Sequence, residues 1–179
     1  ANDTLPSNGQ GMGMMNLEAY FSQLAGPRIL LDQRPADLFT ASGQQHTITG
    51  TVADGGQPLR VTLAWTDAPG PTSGSAFVNN LDLEVTVGGN TYRGNVFAGG
   101  TSTTGGSADP RNNGESVFLP AGLSGPFSVR VVATNVAGDG VPGAGGALDQ
   151  DYALVVSNAA AVPQPVVVAG TATVVADSC

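Results

Sequence analysis

Apolar and polar residues alternate with a period of two through most of the chain between residues 46 and 156. The alternation is clearest in the segments 48–52, 59–65, 81–87, 127–131 and 152–156, with shorter candidates at 91–93 and 115–119. Successive side chains of a strand point to opposite faces of a sheet, so this pattern predicts antiparallel strands with one buried face and one wetter face. Trp65 shares the apolar positions of Leu63 and is predicted to lie in the core.

Turn sequences separate the predicted strands, and only one helix is expected. The turns are rich in Gly, Asp, Asn and Pro and lie at 54–56, 88–90, 122–126 and 139–146. Asn16 is a good N-cap for a short helix that Gly26 and Pro27 end, with one apolar stripe made of Leu17, Tyr20, Phe21 and Leu24. Seven or more short strands and one helix predict an all-β fold, an antiparallel β-sandwich or jelly roll with one short N-terminal helix.

Composition divides the chain into three parts. Residues 1–39 are predicted to be a connector, 40–158 the sandwich domain, and 159–179 a linker or the start of a following module. Segments 98–111 and 138–148 are predicted surface loops, because they consist largely of small residues. The only cysteine, Cys179, has two interpretations. It is either an unpaired residue where this segment ends or half of a disulfide with a cysteine outside these residues.

The charge of the chain argues against two classes of binding partner. Charged residues make up 11% of the chain, the net charge is -8, and all six basic residues are Arg. We therefore expect no nucleic acid and no anionic membrane surface as partners, because both require basic side chains. No apolar run approaches the roughly 20 residues of a membrane-spanning helix. The chain opens with ANDTLP rather than with a signal peptide, so we expect either a mature segment or an excised piece of a longer protein.

Several short motifs resemble one protein family. Residues 6–17 (PSNGQGMGMMNL) resemble the segment that closes the catalytic domain of subtilisin-like serine proteases. Five further pieces resemble the jelly-roll domain that follows this catalytic domain in bacterial alkaline subtilases: 63–69 (LAWTDAP), 78–85 (VNNLDLEV), 92–95 (YRGN), 111–115 (RNNGE) and 150–156 (QDYALVV). The pieces keep the order and the approximate spacing of the family over residues 6–158.

The resemblance implies a non-catalytic accessory domain at the C-terminal side of a secreted subtilisin-like serine protease. Such a domain docks on the catalytic domain of the same polypeptide and stabilises it, with a role in substrate access as a further expectation. The implied interface is the helix stripe of Leu17, Tyr20, Phe21 and Leu24, and the parent is expected to be a monomer that acts on protein substrates. Two alternatives stay open: an independent carbohydrate- or cell-surface-binding module, and a structural spacer.

The chain departs from the family pattern at several places. Met12, Met14 and Met15 replace the usual aromatic residue, Arg and Val. Asn80 stands where the family often has Asp, and the segment 96–109 lacks most of the acidic residues of its relatives. The first departure affects the junction with the catalytic domain, and the others affect any calcium site.

The chemistry-bearing residues favour binding over catalysis. His46 is the only histidine and has no nucleophile motif nearby, so this segment is not expected to be an enzyme. One His and one Cys cannot form a usual zinc site. Calcium is the candidate cofactor, with Asp82, Asp109, Asn112 and Glu115 as tentative ligands. The other interpretation of these residues is structural, because Asn and Asp also cap turns.

Overall fold

Two antiparallel sheets make up the fold. The computed structural model describes residues 11–18, 21, 26–144 and 146–161. The strands in this part of the chain are β1 (Arg28–Asp32), β2 (Gln45–Val52), β3 (Leu59–Ala64), β4 (Asn80–Val87), β5 (Asn90–Ala98), β6 (Thr101–Thr104), β7 (Gly114–Leu119), β8 (Pro126–Asn135), β9 (Ala153–Ser157) and β10 (Ala159–Ala161). One sheet has the order β1-β9-β3-β7 and the other β10-β2-β8-β4-β5-β6. The predicted all-β sandwich is confirmed.

The alternation in the sequence decides which side chains fill the space between the sheets. In β4 the four apolar residues from Leu81 to Val87 are at most 2% exposed, whereas Asp82 and Glu84 lie on the outer face. Trp65 directly follows β3 and is also buried, as predicted. Phe127, Tyr152 and their apolar neighbours from β8 and β9 complete one continuous core.

A tight turn sets the register between β4 and β5. Val87 pairs with Asn90, so only Gly88 and Gly89 connect the two strands. Their φ angles are 58° and 78°. Positive φ at both central residues defines the hairpin turn whose twist matches that of the strands, and glycine adopts it without steric cost.

The sandwich begins earlier in the chain than predicted. β1 lies within the predicted connector, yet it pairs with β9, and its residues Ile29 and Leu31 are buried. Phe39 is fully buried and forms a bridge with Gln150. Residues before the predicted boundary at residue 40 thus take part in the sheets, and the sequence did not reveal them because a five-residue strand with two buried positions is too short to show a clear alternation. At the other end, β10 extends the sheet past residue 158.

The predicted loop 98–111 also contains a strand. Thr101–Thr104 forms β6 at the edge of the larger sheet. Its sequence, TSTT, has no apolar position, and only Ser102 is buried. The pattern of apolar residues therefore could not reveal this strand.

The N-terminal segment carries exposed apolar side chains. Leu17, Glu18 and Phe21 are helical, as predicted, and Leu17 and Phe21 are 58% and 64% exposed. Tyr20, Leu24, Cys179 and the predicted linker from residue 162 onward lie outside the described residues. None of the helical segments described has the length and apolar character of a bilayer-spanning helix.

Candidate functional site

The polar residues that the sequence analysis singled out cluster at one end of the sandwich. Antiparallel pairing brings the end of β3 beside the starts of β7 and β9, because Ala64 pairs with both Gly114 and Ala153. The start of β4 likewise lies beside the end of β8, where Asn80 pairs with Asn135. The loop between β3 and β4, the loop before β7 and the loop between β8 and β9 therefore meet at this end of the sandwich. We call this region the loop end.

Asn79 is the centre of a buried hydrogen-bond network at the loop end. Its backbone N–H donates to Asp67 Oδ1 at 2.7 Å, and its side-chain Nδ2 donates to Gln150 Oε1 at 2.8 Å. Asn79 Oδ1 accepts from the backbone N–H groups of Ala137 and Gly138. Gln150 Nε2 in turn donates to the Thr66 carbonyl oxygen at 2.9 Å. The network joins the loop between β3 and β4 to the loop between β8 and β9, so it determines how the loop end is shaped.

A second set of hydrogen bonds ties β5 and β7 to the end of β3. Trp65 N–H donates to the Asn113 carbonyl oxygen, and Asn113 Nδ2 donates back to the Trp65 carbonyl oxygen. Asn95 Nδ2 donates to the Gly114 carbonyl oxygen, while its Oδ1 accepts from Ser116 N–H. The φ angle of Asn95 is 59°, a left-handed conformation that Asn tolerates better than most residues. This conformation marks the place where β5 departs from β4.

Asp109 organises the loop before β7. Its Oδ1 accepts from the backbone N–H groups of Arg111 and Asn112, and its Oδ2 accepts from the side-chain amides of Asn95 and Asn112. Burial opposes the charge of the carboxylate, but the hydrogen bonds from Asn112, Asn95 and the two backbone groups outweigh it. The pKa of Asp109 is therefore lowered from its ordinary value of 3.8.

Glu115 is a carboxyl group inside the core. It is 1% exposed and points to the same side of β7 as Val117. Its Oε2 accepts a hydrogen bond from Leu83 N–H at 2.7 Å. This N–H group lies at a position of β4 that no longer pairs with β5. The other oxygen, Oε1, is buried and has no hydrogen-bond partner among the described residues. Burial is the main cause that raises the pKa of Glu115 to about 8, and the charges of Asp82 and Asp109 add to the effect. This carboxyl group therefore holds a proton at neutral pH.

The four tentative calcium ligands have different surroundings. Asp109 and Asn112 are in direct contact, whereas Glu115 lies in the core. Asp82 lies on the outer face of β4, where it accepts hydrogen bonds from Asn80 and Thr134. Donors already occupy both oxygens of Asp82 and Asp109, and in the described part of the chain no three acidic, His or Cys side chains are arranged to hold a metal ion. Calcium at these four residues stays a prediction, and this hydrogen-bonded geometry does not favour it.

His46 contacts aromatic side chains. Its ring stacks on Phe39 with 4.3 Å between the ring centroids, and its Nδ1 lies 3.2 Å from the Tyr152 hydroxyl oxygen. Burial raises the pKa of that hydroxyl group, and the nearby Asp37 adds to the effect. In these contacts His46 acts as a packing residue that covers one edge of the core.

A cleft of about 1200 Å³ lies beside the loop end, on the outer face of β3 and β7. Phe97 and Phe118 line it with their ring centroids 5.4 Å apart, and the Arg60 guanidinium lies 4.8 Å from the centre of the Phe118 ring. Asn95, Asp109, Asn112 and Asn113 supply its polar side, and Gly11 and Met12 from the N-terminal segment border it. The cleft can therefore accept a partner with both apolar and polar groups.

The sequence analysis did not single out the roles of Asn79, Asn95 and Gln150. Asn79 and Gln150 are 71 residues apart, so no local pattern links them. The available signal was the position of Asn79 and Gln150, polar residues that stand two positions before the first apolar residue of the alternations at 81–87 and 152–156.

No protein-family model and no curated protein matches the chain. The family resemblance of the motifs therefore rests on the residues of this chain alone.

Proposed function

We propose that this chain is a non-catalytic accessory domain that follows the catalytic domain of a secreted subtilisin-like serine protease. In this proposal the sandwich docks on the catalytic domain of the same polypeptide and stabilises it. The parent protein is then a serine endopeptidase, and its catalytic residues lie outside these 179 residues. In this proposal the domain binds the catalytic domain and takes no part in peptide hydrolysis.

One observation carries the proposal: most of the motifs behind the resemblance contact one another. The motif at 63–69 bonds to the motif at 78–85 through Asp67 and to the motif at 150–156 through Thr66. Hydrogen bonds between Trp65 and Asn113 link the motif at 63–69 to the motif at 111–115. Asn95, in the motif at 92–95, also contacts the motif at 111–115. Five motifs that are scattered along the chain thus share one structural task, which supports common ancestry over chance matches.

The N-terminal segment supports docking. Met14 and Met15 are 93% and 83% exposed, and Leu17 and Phe21 are also mainly exposed. A soluble protein rarely leaves several large apolar side chains together in water, so such a group marks a contact surface. By the resemblance this segment is the end of the catalytic domain, and its Met12 borders the cleft. The cleft and the segment together are the proposed contact with the catalytic domain.

The test is made on the full-length parent protein. We expect deletion of residues 26–161 to shorten the half-life of heat inactivation at least tenfold, because docking stabilises only the folded catalytic domain. Hydrolysis of a small chromogenic peptide before heating should change less than twofold. Equal half-lives with and without the domain would contradict the stabilising role.

A matched pair of substitutions tests the cleft as the contact surface. Phe118→Ala in the parent should shorten the half-life, whereas Phe77→Ala, outside the cleft lining, should leave it unchanged. Equal half-lives for the two variants would exclude the cleft as the contact, whatever the deletion shows.

The cleft also favours one alternative, an independent carbohydrate-binding module. The neighbouring Phe97 and Phe118 rings and the side-chain amides of Asn95, Asn112 and Asn113 are groups that bind the faces and hydroxyl groups of sugars. A glycan array probed with the full chain distinguishes the two functions. Binding that Phe118→Ala abolishes, together with unchanged heat stability of the parent after deletion, would favour the carbohydrate module.

A further inference from the structure

We propose that Asp139 and Asp149 bind a calcium ion in the loop that connects β8 to β9. This loop is separate from the segment 96–115, to which the tentative ligands Asp109, Asn112 and Glu115 belong. The inference does not depend on the proposed function, because it concerns the stability of the sandwich itself.

Asp149 is a fully buried acid with one unused oxygen. Its side chain is 0% exposed, and its Oδ1 accepts from Val141 N–H at 3.0 Å. Its Oδ2 is buried as well but has no hydrogen-bond partner among the described residues. A buried, ionised carboxylate costs several kcal/mol unless a positive charge or donors compensate it. Asp149 therefore requires a partner at Oδ2.

Asp139 carries a second unused oxygen at the position that pairs with Asp149. Asp139 and Asp149 are partners in a parallel bridge, and paired residues in adjacent strands project their side chains to the same side. Asp139 Oδ1 is also buried without a hydrogen-bond partner among the described residues. The bridge thus pairs two acids that each carry a buried oxygen without a hydrogen-bond partner among the described residues.

Gly146 keeps space open at the unused oxygen of Asp149. A Cβ atom at Gly146 would lie 3.8 Å from Asp149 Oδ2 and 3.3 Å from the Leu148 carbonyl oxygen. A carbonyl oxygen and a carboxylate oxygen thus border the same space. One backbone and one side-chain hydrogen bond hold the surroundings in place, since Gly140 N–H donates to the Asp149 carbonyl oxygen at 2.9 Å and Asn79 Nδ2 donates to it at 3.3 Å.

The chemical type of the available oxygen atoms determines which kind of ion the site binds. The three ion pairs in the described residues join Arg34 to Asp37 and join Arg93 and Arg130 to Glu84, so none of these arginines neutralises the two acids. Carboxylate and carbonyl oxygens without His or Cys favour a hard cation, and calcium tolerates an irregular set that water completes. Two carboxylates also match the charge of one divalent ion.

Calcium titration of the full chain tests the proposal. After dialysis against EDTA, calcium chloride is added and the unfolding temperature is followed by the fluorescence of Trp65, the only tryptophan. We expect the midpoint to rise by about 5 °C when calcium exceeds its dissociation constant about a hundredfold. Asp149→Asn and Asp139→Asn should each abolish this rise. The control Asp109→Asn should retain it.

Each outcome decides the question. If Asp149→Asn does not fold, Asp139→Asn still tests the proposal, because Asp139 is only partly buried and its substitution disturbs the fold less. No calcium effect on the wild type would overturn the proposal, as would an equal rise in every variant. A rise that Asp109→Asn alone abolishes would also overturn it and would place calcium at the loop before β7.

Discussion

Replacing Glu115 with Gln should remove most of the pH dependence of stability between pH 5 and 8. The substitution keeps the shape of the side chain and an acceptor for Leu83 N–H, but it removes the group that titrates. The wild type and Glu115→Gln should therefore have similar free energies of unfolding at pH 5, where Glu115 is neutral in the folded protein, and should diverge as the pH rises.

The sign follows from the direction of the pKa shift. The folded protein keeps the proton on Glu115 up to about pH 8, whereas the unfolded chain releases it near the ordinary value of 4.5. Between these values the folded state binds more protons, so stability falls as the pH rises. The contribution is fully present below pH 4.5 and is lost by the time the pH passes the folded pKa.

The size of the effect follows from the same two values. A pKa raised from 4.5 to about 8 corresponds to a loss of about 5 kcal/mol, at about 1.4 kcal/mol per pH unit. Small domains are stable by only about 5–15 kcal/mol, so the loss is a large fraction of the total. Glu115→Gln should then exceed the wild type by up to about 5 kcal/mol at pH 9.

Urea unfolding followed by Trp65 fluorescence at five pH values from 5 to 9 measures this difference. Burial also raises the pKa of Asp151, with contributions from the charges of Asp149 and Asp32, but this effect is common to both proteins and cancels in the comparison. Glu84→Gln is the control, because Glu84 lies on the outer face and pairs with Arg93 and Arg130. Its curve should shift by about 1 kcal/mol or less and stay parallel to the wild type. Parallel curves for the wild type and Glu115→Gln would refute the reasoning.

Two further substitutions test the loop end by urea unfolding at constant pH. Asn79→Ala should cost roughly 3–5 kcal/mol, because it leaves the buried Gln150 Oε1 and the part-buried backbone N–H groups of Ala137 and Gly138 without partners. Asn135→Ala, which removes one exposed bond, should cost about 1 kcal/mol or less, and equal losses would contradict the central role of Asn79. Gly94→Ala should cost roughly 2–3 kcal/mol, because its Cβ would lie 2.7 Å from Glu115 Cβ. Gly114→Ala, whose nearest contact would be at 3.8 Å, should be tolerated, and a similar loss in both variants would refute the steric explanation.

The sequence predicted the sandwich well because burial in a sheet has a local signature. Each long strand repeats the alternation often enough to be recognised, and Trp65 and Asp82 lie on the predicted faces. β1 and β6 have no such signature, since β1 has two buried positions and β6 has one. Their place in the sheets depends on β9 and β5, which are distant or irregular partners that a local pattern cannot identify.

The candidate site was predictable only where its residues are close in sequence. Asp109 and Asn112 are three residues apart and do contact each other, as their spacing indicated. Glu115 shares the alternation of Val117, so its position in the core was implicit in the sequence, although its acceptor role toward Leu83 was not. The bond between Asn79 and Gln150 depends on the whole fold and could not be derived from either neighbourhood.

The buried polar groups of the loop end fall into two kinds with different consequences. Asn79 and Gln150 are neutral and use both their donors and acceptors, so burial costs them little and they respond to neither pH nor ions. Glu115 and Asp149 are acids with one unbonded buried oxygen each. An acid in that position must acquire a proton or a cation, because an uncompensated charge in the core is too costly. The surroundings differ: Glu115 has the apolar core around it and takes a proton, whereas Asp149 pairs with a second acid and is the proposed calcium ligand. Of these two acids, Glu115 should therefore couple stability to pH and Asp149 should couple it to calcium, and Glu115→Gln should leave the calcium response intact.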